Sequence, residues 1–158
     1  QRILPMPKTI ISDTSCFIIL TNIGELDILR KVYGEVITTP EVASEFGEPL
    51  PAWVIIKSAT DYYRQAILEV QIDKGESSAI ALALEIENST VILDDLKARK
   101  MAEHLGISYT GTIGVVVKAK LKGVIPSIKP ILQKLKQTDF RISLELETEA
   151  LGQAKELP

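Results

Sequence analysis

The chain has 158 residues, is 46% hydrophobic and 25% charged, and carries a formal net charge of −3. That composition is ordinary for a globular protein and long enough for one domain with a sizeable core, which excludes a disordered, collagen-like or disulfide-stapled chain. Cys16 is the only cysteine and His104 the only histidine. An internal disulfide and a thiolate zinc site are therefore excluded, most histidine-dependent catalysis is removed, and the metal chemistry expected here is oxygen-ligated.

In chain order, Thr9–Ile11 is short, β-branched and apolar, and reads as a buried strand running into the polar turn Ser12-Asp13-Thr14-Ser15. Leu20, Ile23, Leu26, Ile28, Leu29 and Val32 recur at helical spacing, which predicts one or two helices between Ser15 and Val32. Val36–Thr39 is a second strand signal, and Pro40 suits the first turn of a helix running through Phe46. Trp53–Lys57 reads as an edge strand, and Asp61–Glu69 as a helix capped by Thr60 or Asp61. The clearest helix opens at Asp73-Lys74-Gly75-Glu76, with Ala79, Ile80, Ala83, Leu84 and Ile86 on its apolar side.

Val91–Leu93 is a third buried strand ending at Asp94-Asp95, followed by a helix from Leu96 to Leu105 that Gly106 stops. Ile107–Tyr109 is a brief strand, and Gly111-Thr112 opens a helix to Lys122. Two amphipathic helices follow, near Ser127–Lys136 and Ser143–Lys155. Strands alternating with helices at this rhythm predict a single-domain α/β fold, a three-layer sandwich with a mostly parallel central sheet. Residues 1–125 read as the core and 126–158 as a helical extension, packed on the same domain or at an interface. Cys16 reads as a buried small hydrophobe and His104 as a helix C-terminal residue.

Charge is unevenly distributed. Residues 1–95 carry a net −8, residues 96–136 a net +8, and the last 22 residues −3. A basic block beside an acidic one suits a polyanion held over a carboxylate-bound metal; the alternative is a set of solvated helix faces. The longest apolar runs fall far short of a membrane span, so no membrane association is expected and a cytoplasmic setting is.

In open parallel sheets, ligands bind beyond the carboxyl ends of the strands. Asp13 ends the first strand, the second feeds the helix carrying Glu41 and Glu45, and Asp94-Asp95 ends the third. Glu76 opens the alanine-rich helix just before that strand. Carboxylates crowded on one edge repel, and a hard divalent cation is the natural counter-charge. Each also has a structural alternative. Asp13 can cap a helix, Glu41 suits a first turn, Asp73–Glu76 fits a capping box, and one of Asp94 and Asp95 can cap the helix after it.

The stretches Ile11-Ser12-Asp13-Thr14-Ser15, Thr39–Glu45, Lys74–Ala83 and Ile92–Arg99 resemble the PIN (PilT N-terminus) domain family, in its VapC-like branch. Gly111–Val115 and Ala119–Gly123 extend the likeness, which covers roughly residues 9–125. The resemblance implies a metal-dependent ribonuclease, commonly the toxin of a toxin–antitoxin pair. Its catalytic acids fall on Asp13, Glu45, Glu76 and, by register, Asp95, with Asp94 an alternative or additional ligand and Ser15 the supporting hydroxyl. One or two Mg²⁺ or Mn²⁺ ions would be held by Asp13, Glu45, Glu76 and Asp94 or Asp95. Two features depart from the family pattern: Glu76 where aspartate is common, and the doubled aspartate.

On this reading a cation-activated water hydrolyses a phosphodiester, while Lys97, Arg99, Lys118 and Lys120 contact the phosphates of an RNA. An antitoxin and a second copy of the chain are the other expected partners. Two other readings compete. One is a non-catalytic PIN-fold binding module for nucleic acid or protein. The other, less favoured, is a receiver-like phosphoacceptor domain, in which an acidic pair follows the first strand.

Overall fold

The structure, a computed structural model, describes residues 6–157. Five parallel strands are connected through helices in the order β1 (Thr9–Ser12), α1 (Thr14–Asn22), α2 (Asp27–Tyr33), β2 (Val36–Thr38), α3 (Pro40–Phe46), β3 (Val54–Ile56), α4 (Tyr62–Leu68), α5 (Lys74–Glu85), β4 (Ser89–Ile92), α6 (Leu96–His104), β5 (Ser108–Thr110), α7 (Thr112–Leu121), α8 (Lys129–Lys136) and α9 (Leu144–Gln153). The sheet order is β3-β2-β1-β4-β5. As expected, Trp53–Lys57 supplies an edge strand. The strand expected at Val91–Leu93 begins earlier, at Ser89, and Leu93 leaves it while still donating its N–H to the Thr110 carbonyl at 2.8 Å.

Alternation along the strands divides the core into two layers. Ile10 and Ile92 face one side, where α1, α2, α7, α8 and α9 supply Phe17, Leu20, Leu29, Val116, Leu135 and Ala150. Ile11, Val91 and Leu93 face the other, against Leu68, Ile80, Leu82 and Ala98. The alanines of α5 (Ala79, Ala81, Ala83) are buried there, and their small side chains let the helix lie close to the sheet. Ile128, Ile131, Leu132 and Leu135 of the C-terminal extension lie in the first of these layers, so α8 and α9 complete the core of the same domain. Among the described residues no helix is long and apolar enough to cross a membrane.

Register places the functional edge. Ser12 pairs with Ile92, Ile92 with Thr110, and Ile11 with Ile37, so the carboxyl ends of β1, β2, β4 and β5 lie side by side. Asp13, the start of α3, Asp94 and Gly111 follow directly. Asp94-Asp95 thus follows a strand late in the chain, where a receiver-like arrangement requires the first.

Candidate active site

The edge is lined with hydroxyls because buried backbone ends need partners there. Thr38 Oγ1 donates to the Ser12 carbonyl at 2.8 Å. Ser78 Oγ donates to the Gly75 carbonyl at 2.7 Å, which leaves Thr39 Oγ1 to donate to Ser78 Oγ at 2.6 Å. Thr39 in turn accepts the Val42 N–H at 3.1 Å as the N-cap of α3. This relay ties the start of α3 to the start of α5, the two helices that carry Glu45 and Glu76.

Asp13, Ser15, Glu45 and Glu76 line one pocket of about 220 Å³, together with Thr14, Ile18, Ile19 and Asp73. Asp13 is 1% exposed and caps α1, Oδ1 accepting the Cys16 N–H at 3.1 Å. Its other oxygen, Oδ2, is buried without a partner. Burial, then the charges of Asp94 and Glu76, push its pKa well above the ordinary carboxylate value against the pull of the Cys16 and Asp94 backbone N–H groups. Glu76 is pushed up to about 7, by burial first and then by Asp73 and Asp95. Glu76 forms the expected capping box while lining the pocket: Asp73 caps α5 by accepting the Glu76 N–H at 2.9 Å, and Glu76 reaches back to the Asp73 backbone.

The doubled aspartate divides its roles. Asp94 turns inward, where Oδ1 accepts the Thr112 N–H at 2.8 Å and Oδ2 accepts the Thr112 hydroxyl at 2.6 Å. Ser15 Oγ donates to the same Asp94 Oδ2 at 3.3 Å, linking Asp94 to the pocket. Asp95 is exposed and caps α6, accepting the Ala98 N–H at 3.0 Å. It reaches the cluster through its charge on Glu76. Glu41, on the same helix as Glu45, is turned away and accepts from Gln65 Nε2 at 2.6 Å.

Among the described residues no three carboxylate, histidine or cysteine side chains stand gathered as a metal cage. Asp13, Glu45, Asp73 and Glu76 are spread around the pocket. The chemistry of the site still fits a divalent cation. A fully buried carboxylate oxygen with no hydrogen bond is costly, and a hard cation is the partner an all-oxygen donor set selects.

Of the expected phosphate-binding cations, Arg99 and Lys118 line a second cleft of about 210 Å³ that shares Asp94 with the acidic edge. Arg99 Nε donates to the Leu93 carbonyl at 2.7 Å, and the guanidinium lies over the Tyr109 ring at 5.4 Å. Gly111 permits this, since a β-carbon there would collide with Arg99 Nη2 and stand 3.0 Å from Asp94 Oδ1. Partial burial, then the charge of Lys122, lowers the Lys118 pKa. Lys97 is exposed on the first turn of α6. Lys120 points elsewhere: its ammonium donates to the Ala154 carbonyl at 2.8 Å and holds the C-terminal helix.

Sequence reasoning missed Thr112 as the holder of Asp94. No local signal marks it, because the two residues are 18 apart and only the pairing of β4 with β5 joins them.

The fold and site define a parallel α/β protein with acids gathered at the carboxyl edge of its sheet. The family model DUF3368, a PIN domain, matches residues 9–156, and the chain belongs to that family. The match runs through α8 and α9, beyond the roughly 9–125 that the motifs covered. PIN domains are generally nucleases, bind nucleic acid and typically use divalent metals. No curated protein matches the sequence significantly.

Proposed function

We propose that this PIN domain is a metal-dependent endoribonuclease, VapC-like, acting as the toxin of a toxin–antitoxin pair in the cytoplasm and working as a homodimer. The observation that carries the catalytic part is Asp13 Oδ2, buried and unpartnered among Asp94 and Glu76.

Asp13, Glu45, Glu76 and Asp94 would hold one or two Mg²⁺ or Mn²⁺ ions. When bound, the ion supplies a water of lowered pKa and charge stabilisation on the leaving oxygen. Asp13 is kept rigid by its cap bond to Cys16, and Asp94 by Thr112 and Ser15. Asp95 shapes the field on Glu76 and stays at its helix cap. Arg99 and Lys118 flank the acidic edge and would position the phosphates without reading sequence, with Lys97 at the rim. The antitoxin and the second copy rest on the family resemblance.

The test is cleavage of mixed structured and single-stranded RNA with Mn²⁺, Mg²⁺ or EDTA, comparing wild type with Asp13→Asn. Metal-dependent cleavage by the wild type that the variant lacks is the expected result. Equal inertness of both would leave a non-catalytic PIN-fold binding module.

A further inference from the structure

Phe140 and Arg141 stand on the short connection between α8 and α9. Thr138 Oγ1 donates to the Leu135 carbonyl at 2.7 Å and accepts the Phe140 N–H at 3.1 Å, while Ser143 caps α9 by accepting the Leu146 N–H at 3.0 Å. The connection is thus fixed at both ends, and it presents Phe140 half-buried and Arg141 exposed. Both line the cleft of about 210 Å³ that also holds Arg99 and Lys118. Among the described residues Arg141 makes no hydrogen bond and no ion pair.

Aromatic residues are few in this chain: three phenylalanines, four tyrosines and one tryptophan. Tyr33, Tyr109 and Phe140, from three distant parts of it, all line this one cleft. An aromatic ring normally buries its faces in a core, so three that border one open cavity need a reason. Tyr109 is held by the bond of its hydroxyl to Glu103 Oε2 at 3.3 Å and by the Arg99 guanidinium over its ring. Arg99 is itself fixed through Nε, and its two terminal nitrogens make no hydrogen bond among the described residues. The acids of the cleft are already engaged, Asp94 by Thr112 and Ser15, and Glu149 by Gln153. Acceptors for the two guanidinium groups must then come from water or from a ligand.

A nucleotide of a single strand has the matching chemistry. Its base offers a π-face that stacks on aromatic rings and guanidinium planes, and its phosphates accept from arginine forks. At about 210 Å³ the cleft is smaller than the roughly 300–1,000 Å³ that take drug-sized ligands, which limits it to one ring system.

We propose that this cleft takes one unpaired base of an RNA strand against Phe140 and the Arg99–Tyr109 pair, with Arg141 on a neighbouring phosphate. Asp94 belongs to the cleft and, through Ser15, to the acidic pocket, so a strand seated here leads on to the candidate metal ligands. The inference rests on the nuclease reading above and adds to its phosphate contacts a place for a base. Every base has a π-face, so this subsite recognises the presence of a base and not its identity.

The experiment is binding, in EDTA to prevent turnover, of a labelled five-nucleotide single-stranded RNA and of forms lacking the base at each position in turn. Wild type is compared with Phe140→Leu and Arg141→Ala. In the wild type, loss of the base at one position should weaken binding at least about 5-fold, the low end for one stacked base. Phe140→Leu keeps apolar volume but no ring, so the same base loss should then cost less than about 2-fold. Arg141→Ala should weaken binding of all the RNAs alike and reduce the salt slope by about 1. A wild type indifferent to base removal at every position, or a Phe140→Leu protein that keeps the full penalty, would overturn the inference. So would an Arg141→Ala protein that binds as the wild type does. Mn²⁺-dependent cleavage of the intact RNA would in those cases leave the nuclease reading standing, whereas a wild type that neither binds nor cleaves it would remove both.

Discussion

The acidic edge and the basic block of residues 96–136 look like complementary halves in the sequence, and the fold treats them in opposite ways. Four lysines of the basic block are engaged within the fold, by carbonyls or by acids. Lys122 donates to the Val32 carbonyl at 2.7 Å and Lys120 to that of Ala154, while Lys134 pairs with Glu25 at 2.7 Å and Lys136 with Glu147. These lysines tie α7 and α8 to α2, α9 and the turn before α2. The acids at the strand ends receive hydrogen bonds from N–H and hydroxyl groups but no ion pair among the described residues, and one oxygen of Asp13 receives nothing. Charge that the fold leaves uncompensated in a buried place marks the site better than charge that is merely abundant.

The sharpest way to break this contrast is Asp13→Asn. Expected is a loss of Mn²⁺-dependent RNA cleavage of at least about 100-fold, since removal of even an outer-shell group costs 10–100-fold. The same substitution should stabilise the cation-free protein at pH 8, because burial disfavours the wild-type carboxylate and asparagine carries no charge there; denaturant unfolding of both forms checks this.

Thr112→Val comes next. It removes a hydroxyl that donates to a carboxylate, and should cost about 1–3 kcal/mol in denaturant unfolding along with most of the cleavage. Arg99→Ala should weaken RNA binding and flatten its salt dependence without changing Mn²⁺ affinity, as a phosphate contact would. The smallest effect belongs to the other region. Lys136→Ala breaks a pair whose lysine is 41% exposed and should change stability by less than about 1 kcal/mol, leaving cleavage intact.

The comparison also has a pH signature. Glu76 is pushed from 4.5 to about 7 and Asp13 is raised too, so the folded protein keeps protons that the unfolded chain has released. Cation-free stability is therefore full at low pH, and this contribution is lost as pH rises through about 7. A bound cation reverses the demand, because its ligands must be ionised. The rise in melting midpoint that Mn²⁺ confers should grow between pH 5.5 and 8, which a thermal series across that range measures.

Much of this was legible in the sequence where the signal is local. The strand at Thr9, the proline-initiated helix at Pro40 and the glycine stop after α6 follow from neighbouring residues, and the acids were found because strand ends are visible as apolar runs that stop. What depends on side-chain direction was not. Asp94 and Asp95 are adjacent, yet one turns inward to Thr112 and the other outward to its cap, a division that the register, which matched Asp95 to the fourth acid, does not reveal. Long-range pairing was hidden as well: Lys120 reads as a phosphate contact until the packing of α9 brings a carbonyl to it.

The central claim is that the acids at the sheet edge are held uncompensated for a divalent cation. Calorimetric titration of Mn²⁺ into the wild type and Asp13→Asn at pH 8 tests it most directly. The account expects saturable binding of one or two ions by the wild type and its loss in the variant. Identical titrations for the two proteins, whether both bind or both stay silent, would contradict it.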